Sequence, residues 1–252
     1  MMEMLDQEFL QQRDIRECRT VRFYKSKKNE VRLLEVVTSD QTVEKLVLKT
    51  CRHPERMKQE AELVNALHKE GVAVPRLFYQ GENHLVFEYI DGLTLCDLFQ
   101  DQEAALHGET LLSADTRQAI GSLVQWLWAF YRAGRVITGR TLLMKDVNLR
   151  NFLLAERLYG VDFEDCSTGQ IEEDVGRLCA YVLTYDPIGT AWKQLAAAAL
   201  CRHLSAKLGL DVQAVHHYFR QEILEMENRR KIPLAWIRLC DLKDSSKGCG
   251  NA

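Results

Sequence analysis

The spacing of apolar residues changes once along this chain, and that change limits the folds open to it. Between Thr20 and Lys49 apolar and β-branched residues come in short alternating runs, Thr20–Tyr24, Val31–Val37 and Val43–Lys49, separated by polar linkers such as Lys25-Ser26-Lys27-Lys28-Asn29. A period of two predicts strands, and the short linkers predict an antiparallel meander. From Pro54 to Lys69 the period lengthens to three and four, with Met57, Ala61, Val64 and Leu67 on one helical face and Gly71 as the stop. A second strand pair is predicted at Arg76–Tyr79 and His84–Ile90, broken at Asp91-Gly92.

Beyond that point the pattern is helical. Ser113 is placed to cap a helix running to about Ala133 and closing at Gly134. Two short apolar runs, Phe152–Ala155 and Tyr159–Phe163, flank Glu156-Arg157 and predict a small hairpin. Helices are predicted again over Glu173–Leu183, Trp192–Leu208 and Val212–Asn228, and the polar residues 241–252 read as a loose tail. Strands gathered in one half and helices in the other predict an α+β fold.

Composition narrows the function classes. The 252 residues are 46% hydrophobic and 27% charged, as in ordinary globular proteins, with 33 basic against 36 acidic side chains. A net charge of −3 gives no support to a nucleic-acid partner. The acidic start lacks a signal-peptide pattern, and no run approaches the roughly 20 apolar residues of a membrane helix, so a cytoplasmic protein without a membrane partner is expected. The eight cysteines show no CxxC pair and read as reduced, buried small hydrophobes.

One constellation carries chemistry. Asp146 and Asn151 stand five apart in Lys145-Asp146-Val147-Asn148-Leu149-Arg150-Asn151, and Asp162 follows eleven residues later, across the predicted hairpin. Phosphoryl transfer from ATP needs a carboxylate to orient the attacking hydroxyl and oxygen ligands to hold Mg²⁺ on the phosphates. An Asp and Asn on one loop and a second Asp across a hairpin supply both.

With these residues the sequence resembles the protein-kinase-like superfamily, and more closely its small-molecule branch, the aminoglycoside and choline phosphotransferases. The resemblance implies a two-lobed fold: a small antiparallel sheet lobe with one helix over residues 1–88, and a larger, mostly helical lobe over 89–240. ATP and Mg²⁺ would lie in the cleft between them. It implies Asp146 as catalytic base, and Asn151 and Asp162 as metal ligands. Lys49, ending Leu46-Val47-Leu48-Lys49, matches the phosphate-contacting lysine, with Glu60 as its ion-pair partner and Glu62 as the rival. The main chain of Glu88, Tyr89 and Ile90 would hold the adenine edge, and Asp174 would brace the catalytic loop.

The acceptor follows from a length. Eleven residues separate Asp162 from Asp174, and no Ala-Pro-Glu follows, which leaves little room for a peptide platform. The expected activity is an ATP-dependent kinase acting on a hydroxyl of an amino sugar, sugar or amino alcohol. Met144, where the family has His, and a phosphate-side loop without glycine keep a pseudokinase as one alternative; an atypical protein serine/threonine kinase is the other. The acids Glu164, Asp165, Glu172, Glu173 and Asp174 read either as a wall for a cationic acceptor or as a solvated charge run.

Overall fold

In the computed structural model, which describes residues 5–24, 28–105 and 111–239, the alternating runs form one five-stranded antiparallel sheet. A short helix α1 (Gln7–Gln12) precedes strands β1 (Ile15–Tyr24), β2 (Glu30–Thr38) and β3 (Val43–Thr50). Helix α2 (Pro54–Lys69) follows, then β4 (Leu77–Gln80) and β5 (His84–Glu88), in the spatial order β1-β2-β3-β5-β4. Alternation divides the faces of the sheet. Leu34, Val36, Leu46, Leu48 and Val86 meet Leu5, Phe9 and Leu10 in one buried cluster. Lys49, odd in the period that buries Leu46 and Leu48, turns to the other face. The residues Lys25, Ser26 and Lys27, the tail 241–252, Cys240 and Cys249 lie outside the described residues.

Two compact units make up the chain, Met1–Asp91 and Gly92–Ala252. The second opens with β6 (Leu93–Thr94) and α3 (Leu95–Ala105), followed by the long helix α4 (Ala114–Thr138), β7 (Leu142–Leu143) and a 3-10 turn at Leu149–Asn151. The hairpin β8 (Phe152–Leu154) and β9 (Leu158–Gly160) comes next, then β10 (Ser167–Thr168) and helices α5 (Ile171–Thr184), α6 (Ala191–Leu208) and α7 (Val212–Arg230). Strand β10 pairs with β7, and β6 with β8. Helix α5 packs against both α6 and α7.

Ser113 caps α4 as expected, accepting from the Thr116 N–H at 3.0 Å. The helix does not close at Gly134 but runs one turn further, to Gly139 in the left-handed region at φ 70°. Gly134 has a packing role instead: a Cβ there would lie 2.5 Å from Leu142 Cβ, so its missing side chain lets β7 approach the helix. Trp126 of α4 stacks on Phe130 and Phe163 and meets Phe152 edge-on, forming an aromatic layer beneath the hairpin. Cys18, Cys51, Cys96, Cys179 and Cys201 are buried thiols, and Cys166 is half-buried. Among the described residues no helix is long and apolar enough to cross a membrane.

Candidate active site

The loop after β7 is shaped by alternating anchors. Met144, Val147 and Leu149 are fully buried, which leaves Lys145, Asp146 and Asn148 between them partly exposed. Lys145 takes the left-handed conformation at φ 65°, a state that costs a non-glycine residue about 1–3 kcal/mol and needs outside support. Asp174, in the first turn of α5, gives that support. Its Oδ2 accepts from the Met144 N–H at 2.8 Å and its Oδ1 from the Lys145 N–H at 3.0 Å, while the Tyr131 hydroxyl adds a third bond at 3.2 Å. Burial pushes the Asp174 carboxyl up to about 6 against the pull of these donors, and burial also drives the Tyr131 phenol well above its usual range. Further along, the Leu149 N–H donates to the Tyr185 hydroxyl at 3.0 Å, and Asn148 caps the 3-10 turn by accepting from the Arg150 N–H at 3.0 Å.

These constraints bring Asp146 and Asn151 together. Asn151 Nδ2 donates to the Asp146 carbonyl at 2.8 Å and approaches its Oδ2 at 3.4 Å. The hairpin β8–β9 then returns the chain so that the Val161 N–H donates to the Asn151 carbonyl at 2.9 Å, which delivers Asp162 beside Asn151. Asp162 is also left-handed, at φ 65°, and Phe163 after it is anchored in the aromatic layer on Trp126 and Phe130.

In the first unit Lys49 and Glu60 form a buried, two-pronged ion pair, with Nζ 2.9 Å from Oε1 and 2.8 Å from Oε2. Glu60, not the exposed Glu62, therefore meets the lysine, because Glu60 lies on the face of α2 that also buries Met57, Ala61 and Val64. Glu88 ends β5: its N–H donates to the Arg76 carbonyl at 2.9 Å, and its carboxylate accepts from the Arg76 N–H at 3.1 Å. Tyr89 and Ile90 follow as irregular backbone; the Tyr89 hydroxyl donates to Asp91 at 3.2 Å, and Ile90 is buried.

No family model matches the chain, and no curated protein matches it by sequence. Among solved structures, amicoumacin kinase hAmiN in complex with AMP-PNP, Ca²⁺ and Ami is 15% identical, with a TM-score of 0.55 over 97% of this chain and 91% of that one. The chain has the protein-kinase-like fold.

Within this kinase-like fold much of the acidic run after Asp162 has partners inside the second unit. Glu173 pairs with Lys145 and, at 3.1 Å, with Arg177; Glu172 accepts from the Asp211 N–H at 3.3 Å; Asp174 is buried on the loop backbone. Three of the five acids, Glu172, Glu173 and Asp174, thereby help hold α5 against the loop and α7. Met144, at the position where the resemblance led to the expectation of a His, sits fully buried with its N–H on Asp174, and the loop keeps its brace without an imidazole.

Two residues near Asp146 escaped the reading of the sequence. Asn148 Nδ2 and the Tyr181 hydroxyl both donate to Asp146 Oδ1, at 2.9 and 3.3 Å. Asn148 lies inside the motif, and Tyr181 lies seven residues after Asp174, two helical turns along the same face of α5. That spacing is the only sequence signal for it.

The oxygen donors suit a hard cation. Asn151 turns its amide nitrogen to the loop backbone, which leaves its oxygen directed away, and Asp162 adds a carboxylate one residue beyond the Val161–Asn151 bond. Among the described residues no cluster of three or more His, Cys, Asp or Glu has metal-binding geometry. A cation bound by Asn151 and Asp162 would complete its shell with water and phosphate oxygens, as Mg²⁺ commonly does.

Proposed function

We propose that this protein is an ATP-dependent phosphotransferase that moves the γ-phosphoryl group to a hydroxyl of a small molecule. One observation carries the reading: Asp146 and Asn151 are hydrogen-bonded on a loop braced by Asp174, beside a hairpin that delivers Asp162. The kinase-like neighbour adds support at the level of fold. Asp146 accepts the hydrogen bond of the acceptor hydroxyl, orients its oxygen toward the γ-phosphorus and takes the proton as the new O–P bond forms. The bond between the γ-phosphorus and the bridging oxygen breaks, and ADP leaves with that electron pair. Asn151 and Asp162 would hold a divalent cation, which when bound would neutralise phosphate charge. Lys49, fixed by Glu60, serves the phosphates, and the backbone of Glu88, Tyr89 and Ile90 serves the adenine edge.

A small acceptor is favoured over a protein because the segment from Asp162 to Asp174 is short and pinned. Ser167 and Thr168 pair with Leu143 and Leu142, which leaves no free length for a peptide platform. Amino sugars, sugars and amino alcohols are the classes to test. The test is ATP turnover with Mg²⁺ against a panel of these compounds and generic protein substrates, with Asp146→Asn as control. Thermal melting with Mg–ATP is recorded in parallel, since a bound ligand raises the midpoint by mass action. Transfer to a small hydroxyl compound that disappears in Asp146→Asn supports the reading. A melting shift without turnover points to the inactive nucleotide-binding module, and phosphate on protein alone points to a protein kinase.

A further inference from the structure

A carboxylate on a flexible side chain is a useful base only when one oxygen is held and the other is presented. Asp146 meets that condition unequally at its two oxygens. Oδ1 accepts from Asn148 Nδ2 at 2.9 Å and from the Tyr181 hydroxyl at 3.3 Å. Oδ2 meets, among the described residues, only Asn151 Nδ2 at 3.4 Å, at the outer limit of a hydrogen bond.

The two donors come from different elements, so one of the two bonds ties Asp146 to a helix outside its own loop. Asn148 belongs to the loop and is itself fixed, since its Oδ1 caps the 3-10 turn. Tyr181 comes from α5, the helix whose Asp174 already holds the Met144 and Lys145 backbone. Seven residues, two turns, separate Asp174 from Tyr181 on one helical face. One helix thus registers the main chain of the loop with a residue in its first turn and the reactive side chain with a residue two turns later. Burial first, and then the charge of Asp146, push the Tyr181 phenol up to about 12, so it remains a donor throughout the neutral range.

We propose that Tyr181 is a positioning residue which, with Asn148, fixes Oδ1 of Asp146 and so presents Oδ2 to the acceptor hydroxyl. The proposal rests on the phosphotransferase reading and adds to it the means by which the base is aimed. Tyr181→Phe deletes the hydroxyl and keeps the ring, so the packing of α5 is retained.

The experiment has two arms. In the first, hydrolysis of Mg–ATP with water as acceptor is measured for wild type, Tyr181→Phe, Asn148→Ala and Asp146→Asn. Tyr181→Phe is expected to lower kcat about tenfold with the KM for ATP unchanged, and to have no further effect in the Asp146→Asn background. Asn148→Ala is expected to act in the same direction. In the second arm, crystal structures of wild type and Tyr181→Phe are compared at Asp146, whose carboxylate is expected to pass from one orientation to several. Unchanged kcat in Tyr181→Phe, or an Asp146 carboxylate that keeps its single orientation, overturns the proposal. If the wild-type protein hydrolyses no Mg–ATP, the crystallographic arm alone decides whether Tyr181 orients Asp146, and the phosphotransferase reading stands or falls on the acceptor panel.

Discussion

Replacing Asp174 by Asn tests the physical account of the loop brace at a single atom. In the native protein the carboxyl is fully buried and burial pushes it up to about 6, whereas in the unfolded chain it returns to its ordinary value of 3.8. A raised native value means that the folded state binds the proton more tightly. The stability this gives is fully present below the unfolded value and is lost as pH rises through about 6. Between pH 5 and pH 7.5 the wild-type protein should therefore lose a contribution of about tenfold in its folding equilibrium, on the order of 1 kcal/mol. Asn cannot titrate and lacks this pH term. It also sets an amide N–H₂ against one of the two backbone donors, a mismatch costing about 1–3 kcal/mol at any pH. Urea unfolding of both proteins at pH 5 and pH 7.5 gives the assay, because other titrating groups cancel in the double difference. The Asp174→Asn penalty should be larger at pH 5 than at pH 7.5 by about tenfold in the folding equilibrium, on the order of 1 kcal/mol. An equal penalty at the two pH values would refute the burial argument, and a penalty larger at pH 7.5 would reverse its sign.

Two further substitutions test other contacts. Lys49→Met removes the ammonium that both Glu60 oxygens share and should destabilise the first unit by about 3–5 kcal/mol, while the double variant Lys49→Met/Glu60→Leu should recover much of the loss. Denaturant midpoints check this, and a single-variant cost below about 1 kcal/mol would count against a buried pair. Gly134→Ala drives a Cβ to within 2.5 Å of Leu142 and should cost about 1–3 kcal/mol despite its better helix propensity. Calorimetry of this variant with and without Leu142→Ala should show partial relief in the double variant; additive losses would remove the steric explanation.

Much of the first unit was legible because its signals are local. Period-two runs, the helix over Pro54–Lys69 and its glycine stop depend on neighbouring residues, and they formed close to their expected bounds except that β1 starts at Ile15, five residues before Thr20. Helix α1 was not foreseen, because six residues carry too little periodicity and its place depends on the sheet face it covers. The end of α4 was misplaced because glycine can end a helix or admit a neighbour. Only the approach of Leu142 shows which of the two Gly134 does.

The same division holds at the candidate site. The residue types and spacing of Asp146, Asn151 and Asp162 are readable along the chain, since a short loop and a hairpin bring them together through local geometry. The sequence also marked Asp174 as the start of a helix. The choice of Glu60 over Glu62 for Lys49, the ties of Glu173 to Lys145 and Arg177, and the contact of Tyr181 with Asp146 come from packing. Each of these depends on which face a helix turns toward its neighbour and on how far side chains reach across packed elements. Those quantities are fixed when the elements pack against one another, and spacing along the chain does not carry them.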